Sequence, residues 1–315
     1  MLILVTGGTG LTGTAVVNEL LSRGHRVRIL TRSPADNLEG RDGIDVVRGD
    51  LADPASVFDA TSGVAGIVHT ACSYSDSRID VGAMNALLDG WRVGPFVFMS
   101  SLDVYGLTND QDIDETHPLS SSYNDYATGK VHCEQVLEAR ASSPTTGGQR
   151  HFVSLRAPHI WGPHPTAKRR LLREFAHDGP IVLPGEDRRA WSKYTDAWID
   201  VRDLAVVVAD CVSPPPDVSL NTALNVLSGH FNWHDLYTDL VRLVGVQPGA
   251  REKVIAHTPL AEIEESELAH PEQYAQHWTF SVERLTQLLG PQTRHSLDQT
   301  LRDTVNYGVG APVTS

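Results

Sequence analysis

The first thirteen residues constrain this chain more than any other stretch of it. Met1-Leu2-Ile3-Leu4-Val5 is an apolar run too short for anything but a buried strand. It breaks into Thr6-Gly7-Gly8-Thr9-Gly10-Leu11-Thr12-Gly13, and an amphipathic stretch follows through Val16, Val17, Leu20 and Leu21 to Gly24. Strand, glycine-rich turn and helix in that order make a cradle for a pyrophosphate. Gly7 permits the tight turn, Gly10 lets backbone approach phosphate closely, and Gly13 lets the helix pack on the strand. The helix N-terminus then offers free N–H groups to the anion. A glycine triad alone is weak evidence, but here the required strand and helix flank it, which points to a bound dinucleotide.

Beyond that unit the first half alternates short apolar runs with helical stretches. Val27–Leu30, Val46–Val47, Ile67–Val68, Phe96–Met99 and Phe152–Leu155 suit strands buried on both faces. Asp53-Pro54 reads as an N-cap with proline at the first helical position, starting a helix through Val57. Further helices are expected over Gly82–Leu88 and from Tyr126 to Arg140, with a polar loop over Ser142–Gly148. Such alternation predicts an α/β fold: a Rossmann-type, doubly wound parallel sheet. After residue 157 the texture turns proline-rich and mixed polar, with helices expected near Ala167–His177, Asp203–Cys211, Trp233–Val244 and Ser296–Tyr307. We therefore expect a dinucleotide-binding domain over 1–157 and a smaller substrate-binding lobe over 158–315, with later segments free to return to the sheet.

Composition narrows the partners. The balance of 26 basic against 39 acidic residues gives a net charge of −13, spread without a block. That argues against nucleic acid or an anionic membrane and for a small-molecule substrate. Cys72, Cys133 and Cys211 lie far apart with no Cys-x-x-Cys, so they read as reduced packing residues. No apolar stretch reaches the length of a spanning helix, and the Met1 run lacks a basic leader and cleavage site. A cytoplasmic enzyme is the expectation. His230 and His234 are four apart, but no third ligand is near, so no metal is expected.

The second strong signal is Tyr126-Ala127-Thr128-Gly129-Lys130. Positions four apart share a helix face, so Tyr126 and Lys130 stack one turn apart. An ammonium there, with a nicotinamide cation nearby, favours the phenolate. A tyrosine near pKa 10 must fall by roughly two or three units to act as acid and base near neutrality. The pattern follows Phe96-Val97-Phe98-Met99-Ser100-Ser101, and a serine at a strand's carboxyl end points into the ligand crevice.

With these residues in view, the chain resembles the extended short-chain dehydrogenases/reductases over nearly its whole length. That family contains sugar-nucleotide epimerases and dehydratases, flavonoid ketone reductases and hydroxysteroid dehydrogenases. Thr6–Gly13 is similar to Thr-Gly-x-x-Gly-x-x-Gly, and Gly49-Asp50-Leu51 to the motif whose aspartate holds the adenine amino group. His69-Thr70-Ala71 resembles the segment under the ribose, and Gly82–Leu88 the Gly-Thr-x-Asn-Leu-Leu helix. Ser100-Ser101-Leu102-Asp103-Val104-Tyr105-Gly106 resembles Ser-Ser-x-x-Val-Tyr-Gly, which makes Ser101 the catalytic hydroxyl beside Tyr126 and Lys130. Arg156–Pro163 resembles the stretch over the nicotinamide, and Val201-Arg202-Asp203-Leu204-Ala205 the later Val-x-Asp-x-Ala. The resemblance implies cofactor contacts from Gly7, Gly10, Leu11, Thr12, Gly13, Asp50, Leu51, Thr70, Ala71 and Pro158, besides Tyr126 and Lys130. It implies substrate contacts from Ser73, Asp103, His159, Trp191 and Tyr194.

In users of NAD an acidic residue normally ends the second strand and holds the ribose 2′-OH. Here Thr31 stands at that position with Arg32 beside it, and a guanidinium can grip a 2′-phosphate by a charge-assisted fork. NADP(H) is therefore expected over NAD(H). Sugar-nucleotide relatives carry a diphosphate-clamping arginine five residues before the valine of Val-x-Asp-x-Ala, and in this chain that position is Asp196. Sugar dehydratases carry Asp-Glu after the catalytic hydroxyl, where this chain has Leu102-Asp103. Ile79 replaces the family asparagine of the proton relay, and a homodimer stays open. Lys168, Arg169, Arg170 and Arg173 read as a solvated face, with an anionic substrate tail or a diphosphate as the alternative. Trp161, Trp191, Tyr194 and Trp198 suit packing or an aromatic, polycyclic substrate. The expectation is an NADP(H)-preferring ketone reductase or secondary-alcohol dehydrogenase. A nucleotide-sugar epimerase/dehydratase is the alternative among enzymes, and a non-catalytic dinucleotide-sensing regulator the alternative of another class.

Overall fold

The apolar run at the chain start forms β1 (Leu2–Thr6), and Ile3, Leu4 and Val5 are wholly buried because strands flank it on both sides. The computed structural model describes residues 1–308 apart from 33–37, 39, 121–123, 143–148, 177, 247–252, 265 and 269. Most of the polar loop expected over Ser142–Gly148 lies outside the described residues. After β1 come α1 (Leu11–Ser22), β2 (Arg26–Thr31), β3 (Ile44–Arg48), α2 (Pro54–Ala60) and β4 (Gly66–His69). The first half continues with α3 (Ser77–Gly90), β5 (Gly94–Ser101), α4 (Asp125–Ala141) and β6 (Arg150–Ala157). The second half begins with β7 (His159–Trp161), α5 (Pro165–Leu171), β8 (Ile181–Pro184), α6 (Arg188–Trp191), β9 (Thr195–Asp200) and α7 (Val201–Val212). It ends with β10 (Asn221–Asn225), β11 (Gly229–Asn232), α8 (Trp233–Gly245), β12 (Ile255–Thr258), α9 (Glu283–Leu289) and α10 (Leu297–Val305).

Seven strands make one parallel sheet in the order β10-β6-β5-β4-β1-β2-β3. Strand order reverses between β1 and β4, which opens a crevice at their carboxyl ends. Val16, Val17 and Leu20 of α1 pack with Leu204, Val207 and Val208 of α7 in the core on one face. Met84 and Leu87 of α3 join Cys133 and Leu137 of α4 on the other. Two of these elements come from beyond residue 157: β10, with Leu224 opposite Leu155, and α7. Other segments from that half build the small sheets β11-β9-β7 and β12-β8 around Trp161, Trp198, Phe231 and Trp233.

Helix boundaries follow their caps. α3 begins at Ser77, five residues before the expected start, because the Asp76 carboxylate accepts from Arg78 N at 3.0 Å. α5 stops at Leu171, where the expected helix ran to His177. Backbone at Leu172 leaves the helical region (φ −95°, ψ 8°), and a separate 3₁₀ turn over Arg173–Phe175 follows. His177 lies outside the described residues. His230 sits on β11 and His234 in the first turn of α8, so they share no helix face. His230 Nε2 accepts from Phe280 N at 2.9 Å, and His234 Nδ1 lies 2.9 Å from His257 Nε2.

The sheet's end at the crevice is held by a buried polar pair. His69 Nδ1 lies 2.7 Å from Thr6 Oγ1, and burial pushes the imidazole pKa from 6.5 down to about 3. Below pH 6.5 the unfolded chain therefore takes up a proton that the folded one refuses. Stability is present above that pH and should fall by about 1.4 kcal/mol per unit as the pH drops toward the folded value. Urea midpoints measured between neutrality and acid for wild type and His69→Asn will test this, the variant losing much of the slope.

Candidate active site

A cavity of 780 Å³ opens beside the carboxyl ends of β4, β5 and β6. Ser101, Tyr126 and Lys130 line it together, although they come from β5 and α4. Asn124 caps α4 by accepting from Ala127 N at 2.7 Å, which sets Tyr126 in the first turn. The Asp125 carboxylate takes the N–H and the hydroxyl of Ser77, each at 2.8 Å, and so ties α4 to α3. Ser101 ends β5, accepts from Asp103 N at 3.2 Å and lines the cavity beside the Tyr126 phenol. Lys130 is only 5% exposed. Its Nζ donates to Met99 O at 2.7 Å and stands 5.5 Å from the Tyr126 ring centroid.

The expected phenolate relies on a nicotinamide cation beside Lys130, and the protein's own groups work against it. The protein's own groups push the Tyr126 phenol well above its ordinary value of 10, mainly through burial, with the Asp103 carboxyl adding to it and Ser101 opposing. Burial is the largest of these effects, so the shift is upward even with the Lys130 ammonium 5.5 Å from the ring centroid. The phenol stands ready as an acid.

Of the other residues singled out by sequence, Thr12, Thr70 and Pro158 line the cavity together with Asp103 and His159. Burial pushes the Asp103 carboxyl up, while His159 and Arg170 pull it down. His159 Nε2 pairs with Asp196 Oδ2 at 3.0 Å, and Asp196 too faces the cavity from β9. Ser73 does not line it: its N–H donates to Asp80 Oδ1 at 2.8 Å and its hydroxyl to Asp76 O at 2.8 Å, holding the β4–α3 loop. Trp191 and Tyr194 also stay out. Trp191 stacks on His257 at 4.6 Å, and Tyr194 packs in the aromatic core of the second half. Sequence reading missed Tyr74, Trp278 and Gln273, which do line the cavity. No local motif marks them, since long-range packing brings them there.

The glycine turn fits a dinucleotide. A Cβ at Gly13 would meet Gly7 O at 2.0 Å, so α1 packs directly on the turn. Gly7 has φ +72°, and a Cβ there would lie 2.9 Å from Ala71 N. Gly10 is the N-cap of α1 and supplies no side chain to its amides, which leaves Leu11, Thr12 and Gly13 N–H groups for an anion. Asp50 and Leu51 follow β3, where Asp50 Oδ1 accepts from Ala52 N at 3.0 Å. Arg32 is exposed past the end of β2, and its carbonyl accepts from Arg48 Nη1 at 3.2 Å.

A glycine cradle at the sheet's switch point, joined to a cavity bearing serine, tyrosine and lysine, defines a nicotinamide-dinucleotide enzyme. The family model described as "NAD dependent epimerase/dehydratase family" matches residues 3–213, and the chain belongs to that family, as an NAD(P)-dependent oxidoreductase of extended short-chain type. It is 30% identical over 269 residues to a 2-alkyl-3-oxoalkanoate reductase of Stenotrophomonas maltophilia, covering 78% of this chain and 76% of that one. It is 35% identical over 203 residues to a 3 beta-hydroxysteroid dehydrogenase/Delta 5-->4-isomerase of Mycobacterium tuberculosis, covering 58% of this chain and 54% of that one. The match thus spans about half of the second relative's length. The fold is shared with the Bordetella bronchiseptica enzyme WbmH in complex with NAD+, at a TM-score of 0.75, 20% identity and 97% of each chain.

Proposed function

We propose that this protein reduces a ketone on a small, ring-bearing or extended molecule, or oxidises the matching secondary alcohol, with NADP(H) preferred. When bound, the nicotinamide supplies or accepts the hydride. Ser101 holds the carbonyl oxygen, and Tyr126, protonated at neutrality by its burial, gives that oxygen its proton. Lys130 orients the ribose and, with the cofactor's charge, draws the phenol's pKa down. Gly7, Gly10, Gly13, Leu11 and Thr12 cradle the pyrophosphate, Asp50 and Leu51 the adenine, and Thr70, Ala71 and Pro158 the nicotinamide half. The second half of the chain, less β10 and α7, is read as the substrate lobe. Among the described residues no helix is long and apolar enough to cross a membrane, and a cytoplasmic location is our reading from charge and composition.

The observation that carries the ketone reading over a nucleotide-sugar one is Asp196. It faces the cavity, where sugar-nucleotide relatives are expected to hold a clamping arginine, and it is occupied by His159. A carboxylate there opposes a diphosphate. A panel decides the matter: NAD(P)H oxidation with ring and chain ketones, against thermal shift and turnover with UDP-, GDP- and dTDP-sugars. Turnover of the ketones and indifference to the sugars is the expected result. Arg188 and Arg189 of α6, upstream of Asp196, are the cations that could replace the missing arginine, so micromolar binding of any nucleotide sugar, lost when both are changed, would give the case to the epimerase.

The NADP(H) preference rests on Thr31, buried where an acid would stand, and on Arg32 with Arg48 close by. Arg32→Ala should weaken NADPH binding by about 1.5–3 kcal/mol and barely change NADH. Equal effects on both cofactors in fluorescence titration, or a wild-type preference for NADH, would show the assignment wrong.

A further inference from the structure

We infer that the ketone substrate carries an anionic group, a carboxylate or a phosphate, which docks on Arg169, Arg170 and Arg173 at the outer rim of the cavity. This rests on the ketone-reductase reading and narrows it to a class of ketone. The basic run at α5 divides by direction. Lys168 turns away and donates through Nζ to Tyr307 O at 2.9 Å. The three arginines instead line the cavity that holds Tyr126. Cations in the last turn of a helix complement its dipole on any exposed face. That preference does not account for three of them converging on one cavity.

Acids outnumber bases 39 to 26, and Arg23, Arg140, Arg202 and Arg302 all reach carboxylates. Among the described residues no carboxylate forms an ion pair with Arg169 or Arg173. What sets them apart is their place on the cavity, since Arg26, Arg92, Arg188 and Arg189 likewise form no ion pair among the described residues. Arg170 Nη2 lies 3.4 Å from His159 Nδ1 and also feels the Asp103 carboxyl. Guanidinium groups exposed at a concave rim are suited to forked bonds with a carboxylate or phosphate.

The mouth is shaped by Tyr74 as well. Tyr74 holds φ +61°, a conformation few non-glycine residues adopt, and its ring stacks on Tyr126 at 5.5 Å and 6°. It is 73% exposed, yet close enough to Arg170 for the guanidinium to act on its phenol. Backbone strain of this kind tends to persist at functional sites. Tyr74 therefore walls the mouth within reach of Arg170 and gives the body of the substrate a flat surface.

Charge then fixes orientation. Asp103 and Asp196 line the cavity with Ser101, are less exposed than the three arginines and would repel an anion, while the arginines attract it outward. The carbonyl enters first and the anion stays at the rim. Two sources share this chemistry: the free carboxylate of an oxo acid, and the phosphates of its coenzyme A thioester.

The test compares a medium-chain 3-oxo acid, its methyl ester and its coenzyme A thioester, each with NADPH. The wild-type protein should favour a charged form over the ester at least tenfold in kcat/KM. Arg169→Gln, Arg170→Gln and Arg173→Gln combined should collapse that ratio at least tenfold through KM, with NADPH affinity unchanged. The lysine replacements at the same positions should keep most of it. Collapse on the free acid identifies a carboxylate, and collapse on the thioester alone identifies phosphates. A ratio that survives the glutamines, a wild-type preference for the ester, or a loss of NADPH affinity instead would overturn the proposal. Should no ketone turn over, the reductase reading fails by itself. Calorimetry of decanoate against decanol with NADP+ present then decides: preference for decanoate, lost in the glutamine variant, upholds the arginine site, and equal binding refutes it.

Discussion

Replacing Tyr126 with phenylalanine will lower turnover a hundredfold or more, the ordinary worth of a positioned acid–base group. The substitution removes one oxygen and leaves the ring, so its stacking with Tyr74 and the cavity's shape are retained. Cofactor affinity should therefore hardly move. What goes is the phenol that lines the cavity beside Ser101, and with it the proton for the reduced oxygen. The direction of the Tyr126 shift adds a pH signature. Burial keeps the phenol protonated through neutrality, so reduction needs no prior titration of it. Oxidation needs the phenolate, and its rate should climb with pH across the neutral range in the wild-type protein. Steady-state NADPH oxidation and alcohol oxidation, followed against pH for both proteins, test the two parts together. Turnover retained within a few-fold in the variant would sink the mechanism.

The parts of this site that are local in sequence were legible there. The glycine turn sits between its strand and helix, and Tyr126 and Lys130 are one helical turn apart, so short spacing alone sets their geometry. Four of the five apolar runs proposed as strands pair within the sheet and pack core residues on both faces, whereas Val46–Val47 lies on the edge strand β3 and is only half-buried, short of the burial on both faces expected of it. Less legible was everything set by chain crossing. β10 offers only Ala223 and Leu224 as apolar residues and became the seventh strand through its register with β6. Tyr74 and Trp278, distant in sequence, reach one cavity because the β4–α3 loop and the chain before α9 fold over it. Trp191 misled for the same reason. Its sequence neighbourhood suggested the pocket, whereas its ring found His234 and His257. The burial that opposes the tyrosine's ionisation was not legible, because desolvation depends on everything packed around a group, and a motif names only two of those residues.

Nothing in the sequence marked the polar network behind the triad, yet it should carry the largest effect on stability. Arg156 of β6 forks onto Glu134 of α4, with Nη2 to Oε2 at 2.7 Å, and their side chains are 5% and 8% exposed. Ser100 donates to the same carboxylate, and Arg156 Nη1 donates to the Tyr105 hydroxyl at 2.9 Å. That hydroxyl donates in turn to Asn225 Oδ1 at 2.7 Å, so β5, α4, β6 and β10 are joined through one buried cluster. Arg156→Met leaves the Glu134 carboxylate buried with Ser100 alone to solvate it. Breaking a buried pair from one side typically costs about 3–5 kcal/mol, because the remaining charge is uncompensated. Removing both charges, as Glu134→Met with Arg156→Met, should recover much of that loss. Catalysis should not recover with it. Glu134 lies one turn beyond Lys130 and Ser100 adjoins Ser101, so the cluster fixes where two of the three catalytic side chains stand. The double variant is thus expected to fold near wild-type stability and still turn over more slowly, with the loss in kcat rather than KM. Urea unfolding of the three proteins beside their kinetics checks both parts, and a single-variant loss under about 1 kcal/mol would show that water or relaxation reaches Glu134 after all.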